Sequence, residues 1–179
     1  MNYEVTHAAN TLIRLCIERK LTIATAESCT GGLVAGALTA VPGSSAALDR
    51  GFVTYSNAAK REMLGVPAAT LKQYGAVSRQ TAEAMARGAL SKAKVDLAVS
   101  ITGVAGPDGG TPDKPVGLVH FAAASRAGTS MHAAKRYGDI GRDNVRQQSV
   151  LQALRMLKEL VEADAVRSPA KPTRGRKAP

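Results

Sequence analysis

A serine in a polar, glycine-bearing turn is the residue of this chain best placed to act as a nucleophile. Ser28 lies in the segment 27–32, between an apolar run at 21–24 and a second apolar run at 33–38. These patterns predict a buried strand, a tight turn and a helix. Because the first N–H groups of a helix lack intrahelical partners and its dipole is positive there, such a turn favours negative charge. We therefore predict that Ser28 attacks a substrate and that turn N–H groups, with the helix N-terminus behind them, stabilise the resulting oxyanion.

A serine nucleophile needs a base, and none of the three histidines is well placed to be one. His120 lies within an apolar run, and His7 and His132 have no strand-end setting. A lysine can serve instead when burial and nearby positive charge lower its pKa. Lys60 is the best candidate, since it follows a predicted strand end within the first turn or so of a short predicted helix. By position alone, a solvated surface lysine is an equally good interpretation.

Two side chains close to these residues in the predicted fold bear on the same chemistry. Tyr55, at the end of the second predicted strand, is placed to hydrogen-bond to Lys60 or Ser28 and to relay a proton. An ordinary strand-end aromatic residue fits that position equally well. Cys29 adjoins the serine and is a rival nucleophile.

A glycine-rich segment, 102–110, follows the third predicted strand and has the character of a binding surface. Its glycines permit close backbone approach and positive φ angles, and such loops can present N–H groups to a phosphate. The segment has neither the lysine of a phosphate-binding loop nor the dinucleotide G-x-G-x-x-G pattern, so a plain long turn is the commoner explanation. Arg142, at the start of the last predicted helix, is a candidate partner for a phosphate, although by position alone a surface arginine is favoured.

The elements that must position these residues form an alternating pattern. Helical and apolar strand-like segments alternate early in the chain, and a predicted hairpin of two strands follows. This order predicts a three-layer α/β/α fold on a mixed, mostly parallel sheet, with the last helix spanning about 142–163. Since the carboxyl ends of parallel strands line one crevice, that fold would bring the three polar segments together.

Composition limits the classes of protein to which the chain can belong. With 179 residues, of which 45 % are apolar, it is long enough for one domain with a substantial core. No apolar run approaches the ~20 residues of a membrane span, and the N-terminus lacks a secretory pattern, so we expect a cytoplasmic protein without a membrane partner. The two cysteines and three histidines show no metal-site spacing, so we expect neither a metal nor another cofactor.

The net charge of +10 is unevenly distributed along the chain. The segment 167–179 contains five basic and no acidic residues, which leaves a net charge of +5 for the rest. We predict a folded domain at 1–165 and a basic, proline-rich, disordered tail at 166–179. A nucleic acid is an expected partner only through this tail, and a solvated appendage is the simpler interpretation, because no aromatic platform for bases accompanies it.

Four segments, at 25–32, 51–57, 75–78 and 103–117, together resemble the CinA C-terminal-domain family. Stand-alone members of that family are the PncC-type nicotinamide-nucleotide amidases, and the resemblance covers about residues 6–163. It implies hydrolysis of nicotinamide mononucleotide to nicotinate mononucleotide and ammonia in pyridine nucleotide salvage. It also implies a fold similar to the anticodon-binding domain and a homodimer.

The resemblance also implies roles for individual residues. It places a serine nucleophile at Ser28, assisted by Lys60 and Tyr55, and it associates Thr102 and Arg142 with the active site and substrate. The complete set predicted to bind substrate is Cys29, Thr30, Gly31, Thr102, Gly103, Gly106 and Arg142. The alternative is a nucleotide-binding module without turnover, of the competence- or damage-inducible type. The joint presence of serine, lysine and tyrosine favours the enzyme, because binding alone would not require a base.

Overall fold

The structure is a computed structural model that describes residues 2–167 of the chain. The helices are α1 (Tyr3–Arg19), α2 (Leu33–Thr39), α3 (Asn57–Leu64), α4 (Ala68–Tyr74), α5 (Arg79–Ala93) and α6 (Arg142–Arg167). The strands are β1 (Ile23–Glu27), β2 (Leu48–Val53), β3 (Leu97–Gly103), β4 (Leu118–Ser125) and β5 (Ser130–Arg136), with a short 3₁₀ turn at Ser44–Ala46 before β2.

The five strands form one mixed sheet in the order β2-β1-β3-β4-β5. Strand β1 runs parallel to both β2 and β3, whereas β3–β4 and β4–β5 are antiparallel pairs. At the carboxyl end of β1, Glu27 is in register with Val53 on one side and Ile101 on the other. The predicted mixed α/β sheet is therefore confirmed, and its three parallel strands end at one common edge.

Helices cover both faces of the sheet, which confirms the predicted three layers. Strand β1 is buried at all five positions and β3 at its first six, as expected for strands that are apolar on both sides. Helices α1, α2 and α6 bury one face with residues such as Leu12, Val34, Leu38, Val99, Phe121 and Leu157. Helices α3, α4 and α5 bury the other with residues such as Ala26, Leu64, Leu71, Met85, Ala89 and Ala98.

Two local features at the carboxyl edge set the positions of the predicted catalytic residues. Helix α3 begins after Ser56, whose side chain accepts a hydrogen bond from the Ala59 N–H, and this places Lys60 in its first turn. Between β1 and α2, Gly31 and Gly32 have φ angles of 59° and 96°. Residues with side chains rarely adopt this region, so the two glycines allow the sharp turn that follows Ser28.

The structure corrects the predicted end of the last helix. Helix α6 continues to Arg167, past the predicted end near residue 163, and so includes the first two residues of the predicted tail. Beyond residue 163, Asp164 Oδ1 accepts a hydrogen bond from Thr129 Oγ1, which ties the extra turn to the connection between β4 and β5. The remainder of the predicted tail, 168–179, lies outside the described residues. Across residues 2–167, none of the helices combines the length and apolar character needed to cross a membrane.

Candidate active site

A cavity of about 270 Å³ lies where the carboxyl ends of β1 and β3 meet the turn after β2. The chain leaves β1 towards the outer strand β2 and leaves β3 towards β4, so this is the switch point at which an open α/β sheet forms a ligand crevice. The predicted catalytic residues Ser28, Lys60 and Tyr55 all line it. The predicted binding residues that line it are Cys29, Thr102, Gly103, Gly106 and Arg142. The fold thus gathers segments that are far apart in the sequence.

Lys60 and Ser28 are in direct contact in the buried part of this cavity. The Lys60 Nζ atom lies 3.1 Å from Ser28 Oγ. Lys60 is only 1 % exposed and Ser28 only 8 %. The same amine lies 2.9 Å from the Thr54 carbonyl oxygen and 3.3 Å from that of Tyr55. The lysine therefore extends inward from α3 and ends among three oxygen atoms.

The identity of those oxygens determines how a neutral amine is oriented. Carbonyl oxygens can only accept, so the two N–H groups of neutral Lys60 are directed to Thr54 and Tyr55. The nitrogen lone pair then faces the hydroxyl of Ser28, which can donate. A protonated amine would donate to all three oxygens in the same positions. The site can accept and release a proton without moving its heavy atoms.

The environment of the site also sets the protonation of its lysine and its cysteine. Burial lowers the pKa of Lys60 from its usual 10.5, with the nearby Cys29 partly opposing the shift, and this favours the neutral amine. Burial raises the pKa of the Cys29 thiol to about 12. Because the thiolate is the reactive form, Cys29 is a poor nucleophile at neutral pH compared with a serine beside an amine. The burial of Lys60 argues against the solvated-lysine interpretation.

Tyr55 and Arg142 meet across the outer part of the cavity, away from the lysine amine. Tyr55 is 61 % exposed, and its hydroxyl accepts a hydrogen bond from Arg142 Nη2 over 3.1 Å. Arg142 Nη1 donates to the Gly106 carbonyl over 2.8 Å. The sequence predicts a Tyr55 hydroxyl that reaches Lys60 or Ser28, whereas in residues 2–167 the lysine contacts the backbone carbonyl of Tyr55 and the hydroxyl contacts Arg142. The arginine instead ties Tyr55 to the glycine-rich loop.

A wall of the cavity comes from a segment that the sequence did not indicate as part of the site. Thr102 Oγ1 donates to the Ala76 carbonyl over 2.8 Å and so holds the turn before α5 against the end of β3. As a result Ala76 and Val77 line the cavity. Asp108, in the glycine-rich segment, also lines the cavity. Segment 75–78 contributes to the family resemblance, but its small residues form no chemical pattern, and its place at the site follows from the hydrogen bond with Thr102.

Two predicted binding residues have other surroundings. Thr30 is fully buried, and neither it nor Gly31 is among the residues that line the cavity. Thr30 instead accepts a hydrogen bond at its carbonyl from Arg146 Nη2 over 3.2 Å. These residues shape the turn behind Ser28.

The predicted role of the α2 N-terminus also needs correction. The N–H groups that open this helix do not point freely at the cavity, because the side chain of Glu27 occupies them. Glu27 Oε2 accepts from the N–H groups of Gly32 and Val34, both at 3.0 Å, and Oε1 accepts from Ala35 at 2.9 Å. An acid at the end of a strand was visible in the sequence, but its return to the helix start depends on the three-dimensional turn.

Comparison with known proteins shows the family to which the chain belongs. Residues 5–161 match the family model described as the CinA C-terminal domain. A putative competence-damage inducible protein of Symbiobacterium thermophilum is 51 % identical over 81 % of this chain, and a CinA-like protein of Geobacter metallireducens is 51 % identical over 83 %. These matches cover 36 % and 35 % of the two relatives, so the chain spans about a third of the length of the curated relatives it matches.

Solved structures resemble the chain over nearly their whole length. The crystal structure of the competence/damage inducible protein CihA from Agrobacterium tumefaciens has a TM-score of 0.89 and 53 % identity, covering 89 % of this chain and 97 % of that one. A CinA superfamily protein from Klebsiella pneumoniae has a TM-score of 0.84 and 37 % identity, covering 91 % of this chain and 99 % of that one.

Proposed function

The chain belongs to the CinA C-terminal domain family, and from that premise and the geometry of the cavity we propose that it is a nicotinamide-nucleotide amidase. Its substrate is nicotinamide mononucleotide, and its products are nicotinate mononucleotide and ammonia, a step of pyridine nucleotide salvage. The observation that carries the proposal is the contact of the buried Lys60 amine with Ser28 Oγ at 3.1 Å. A module that only binds nucleotides has no need of a buried lysine whose lone pair faces a hydroxyl.

The reaction begins with the pair in place. Neutral Lys60 takes the hydroxyl proton of Ser28 as the oxygen attacks the carboxamide carbon. The carbonyl oxygen of the substrate becomes an oxyanion, which N–H groups of the turn after Ser28 stabilise. A donor of this kind typically contributes about 3 kcal/mol to lowering the barrier. The carbonyls of Thr54 and Tyr55 hold the amine throughout, since they accept hydrogen bonds from either protonation state.

Collapse of the tetrahedral intermediate releases ammonia. Protonated Lys60 gives its proton to the departing nitrogen, the C–N bond breaks, and the nicotinoyl group remains esterified to Ser28. Water then attacks this ester, again losing a proton to Lys60. The lysine returns that proton to the serine oxygen as the carboxylic acid leaves. We assign Tyr55 no proton transfer, because its hydroxyl contacts Arg142 and is not among the contacts of the Lys60 amine.

The outer part of the cavity is suited to the phosphate of the substrate. Arg142 already donates to two neutral oxygens, those of Tyr55 and Gly106. A phosphate is a stronger acceptor for a guanidinium group than a phenol or a peptide carbonyl, so the substrate can replace one or both partners. The Gly103 and Gly106 backbone lies at the same wall. Binding the phosphate here leaves the carboxamide end directed towards Ser28.

The test is release of ammonia from nicotinamide mononucleotide by the purified chain, with Ser28→Ala as the inactive variant and Ser91→Ala, an exposed serine of α5, as the matched control. We expect release by the wild type and the control, and none above background by Ser28→Ala. Absence of release by the wild type would contradict the amidase and favour the binding module. The homodimer implied by the family resemblance stays a prediction, which light scattering of the same preparation measures.

A further inference from the structure

The turn that holds Ser28 contains a buried acid that the mechanism above does not use. Glu27 is 0 % exposed, and within residues 2–167 it forms no salt bridge. Besides the three N–H groups at the start of α2, its Oε1 accepts from Thr25 Oγ1 over 3.2 Å. All its partners are donors, the arrangement that satisfies an ionised carboxylate. An acid so fully bonded directly beside the nucleophile indicates a function for the turn.

The N–H donors of residues 28–35 are divided between the Glu27 side chain and backbone carbonyls. Glu27 takes the N–H groups of residues 32, 34 and 35. Three more N–H groups bond to backbone carbonyls: Ser28 to Ile101 at 2.9 Å, Gly31 to Ser28 at 3.0 Å, and Leu33 to Thr30 at 3.2 Å. From residue 28 to residue 35, two N–H groups donate to no other described residue: that of Cys29, which contacts the thiol of its own residue, and that of Thr30. Cys29 is a residue that lines the cavity.

We propose that Glu27 is a positioning residue for the oxyanion site and that the N–H group of Cys29, which lines the cavity, is the donor it positions. Because Glu27 accepts from the N–H groups at the start of α2, those groups cannot bind the oxyanion. The same hydrogen bonds hold the end of the turn that leads into α2. Arg146 fixes the turn on the other side, through its hydrogen bond to the Thr30 carbonyl. The inference rests on the proposed function for the identity of the reaction, but its geometry requires only that Ser28 attacks a carbonyl.

The distances explain why this restraint matters for rate more than for binding. An oxyanion donor is effective when it lies 2.7–3.1 Å from the position of the developing charge, and displacement by about 1 Å can lower a rate by roughly 100-fold. Without the carboxylate, three helix N–H groups lose their acceptor and can draw the turn or a water molecule towards them. In the proposed function the substrate phosphate binds near Arg142, outside this turn. The affinity of the substrate should therefore not depend on the geometry of the turn.

The first experiment measures kcat and KM for nicotinamide mononucleotide in Glu27→Gln. The amide keeps one acceptor oxygen but opposes the remaining N–H donors with its own, so we expect kcat to fall by about 10- to 100-fold and KM to change by less than about threefold. The matched control is Ser125→Ala, which removes the side-chain acceptor of the Thr129 N–H and lies beside Leu97, at the end of β3 opposite the cavity. This control variant should lower the free energy of unfolding without lowering kcat.

The second experiment isolates the oxyanion site from turnover. Pyridine-3-boronic acid binds a serine as an adduct: the Ser28 oxygen bonds to boron, its proton passes to Lys60, and boron becomes tetrahedral and negatively charged. We expect Glu27→Gln to weaken binding of the boronic acid by about 10-fold or more while binding of nicotinate mononucleotide stays within about threefold. Equal affinity of folded Glu27→Gln and wild type for the boronic acid would overturn the inference.

A milder variant keeps the test decisive if Glu27→Gln does not fold. Thr25→Val removes one hydrogen bond to the carboxylate and leaves its charge and its three N–H partners. It should weaken boronic acid binding by a few-fold without affecting the nicotinate mononucleotide product, and no change would count against Glu27. If the wild type binds the boronic acid but releases no ammonia from nicotinamide mononucleotide, the proposed substrate fails while the role of Glu27 is still measured by this comparison.

Discussion

The inner and outer halves of the cavity are built differently. The inner pair, Ser28 and Lys60, is almost fully buried, and backbone carbonyls fix the lysine amine. The outer pair, Tyr55 and Arg142, is exposed, and its mutual hydrogen bond can be exchanged for bonds to a ligand. Proton transfer needs a fixed distance and a lowered pKa before substrate arrives, whereas recognition needs groups that can change partners. The difference separates residues that should affect kcat from residues that should affect KM.

The largest expected effect is that of Ser28→Ala on the inner half. Loss of the attacking oxygen should reduce kcat by about 10⁴-fold or more, because no other step of the proposed mechanism can proceed. Affinity for nicotinamide mononucleotide, measured by isothermal titration calorimetry, should stay within a few-fold. A kcat close to that of the wild type would contradict the catalytic role of the inner half, since Ser28 would then only contact the substrate.

Lys60→Met should reduce kcat by about 10²- to 10⁴-fold with little change in KM, because it removes the base but fills the same space. Steady-state kinetics of ammonia release measures both constants, and Lys72→Met, at an exposed position of α4, is the control. An increase confined to KM would place Lys60 among the binding residues and remove the distinction between the two halves.

The pH dependence sharpens the assignment of Lys60. Activity requires the neutral amine, so kcat/KM should rise with pH through the lowered pKa of Lys60, below 10.5. In the window between that lowered pKa and 10.5, the unfolded chain binds one proton more at Lys60 than the folded chain does. The free energy of unfolding should therefore rise with pH across this window, and Lys60→Met should remove that increment. Denaturant titrations over a pH series measure it, and an equal slope in both proteins would contradict a buried neutral lysine.

Arg142→Ala tests the outer half. Loss of a charge-assisted hydrogen bond of about 1.5–3 kcal/mol should raise KM by roughly 10- to 100-fold and leave kcat within a few-fold. Arg155→Ala, an exposed arginine of the same helix, is the control. A fall in kcat equal to the rise in KM would show that Arg142 also acts at the reacting carbon.

The smallest effect should come from Tyr55→Phe. The change removes one exposed acceptor of Arg142, so kcat and KM should each stay within about threefold. The same kinetic assay decides between this expectation and a proton relay. If Tyr55 relays a proton, its loss should lower kcat by roughly 100-fold, and Tyr55 would then belong with Ser28 and Lys60 among the catalytic residues.

The positions of strands could be predicted from the sequence where burial on both sides requires apolar residues. Strand β3 is an apolar run because helices cover both of its sides, and the apolar pattern of the sequence predicts a strand at 97–102, within the observed bounds. For strand β2 the sequence pattern predicts a start near residue 51, but the strand begins at Leu48. It lies at the edge of the sheet, where Asp49 and Arg50 are exposed and leave no apolar pattern to read.

The site was predictable as a set of side chains but not as a hydrogen-bond network. Ser28 and Lys60 could be paired because each follows a strand end and their chemistry is complementary. The carbonyls that orient the amine belong to Thr54 and Tyr55, and carbonyl direction depends on backbone path, not on residue type. Glu27 was overlooked for a similar reason, since an acid beside a helix gives no indication of which N–H groups it will reach.

The order of the site along the chain has a consequence for protein synthesis. Helices from opposite layers contribute to the cavity, Lys60 from α3 and Arg142 from α6, and α6 packs against α1 at the beginning of the chain. A nascent polypeptide therefore completes its cavity only after its last helix has left the ribosome and docked. Under the proposed amidase function, ammonia release during translation would report that moment. A prematurely terminated product ending before residue 142 would carry Ser28 and Lys60 without Arg142, which lines the cavity.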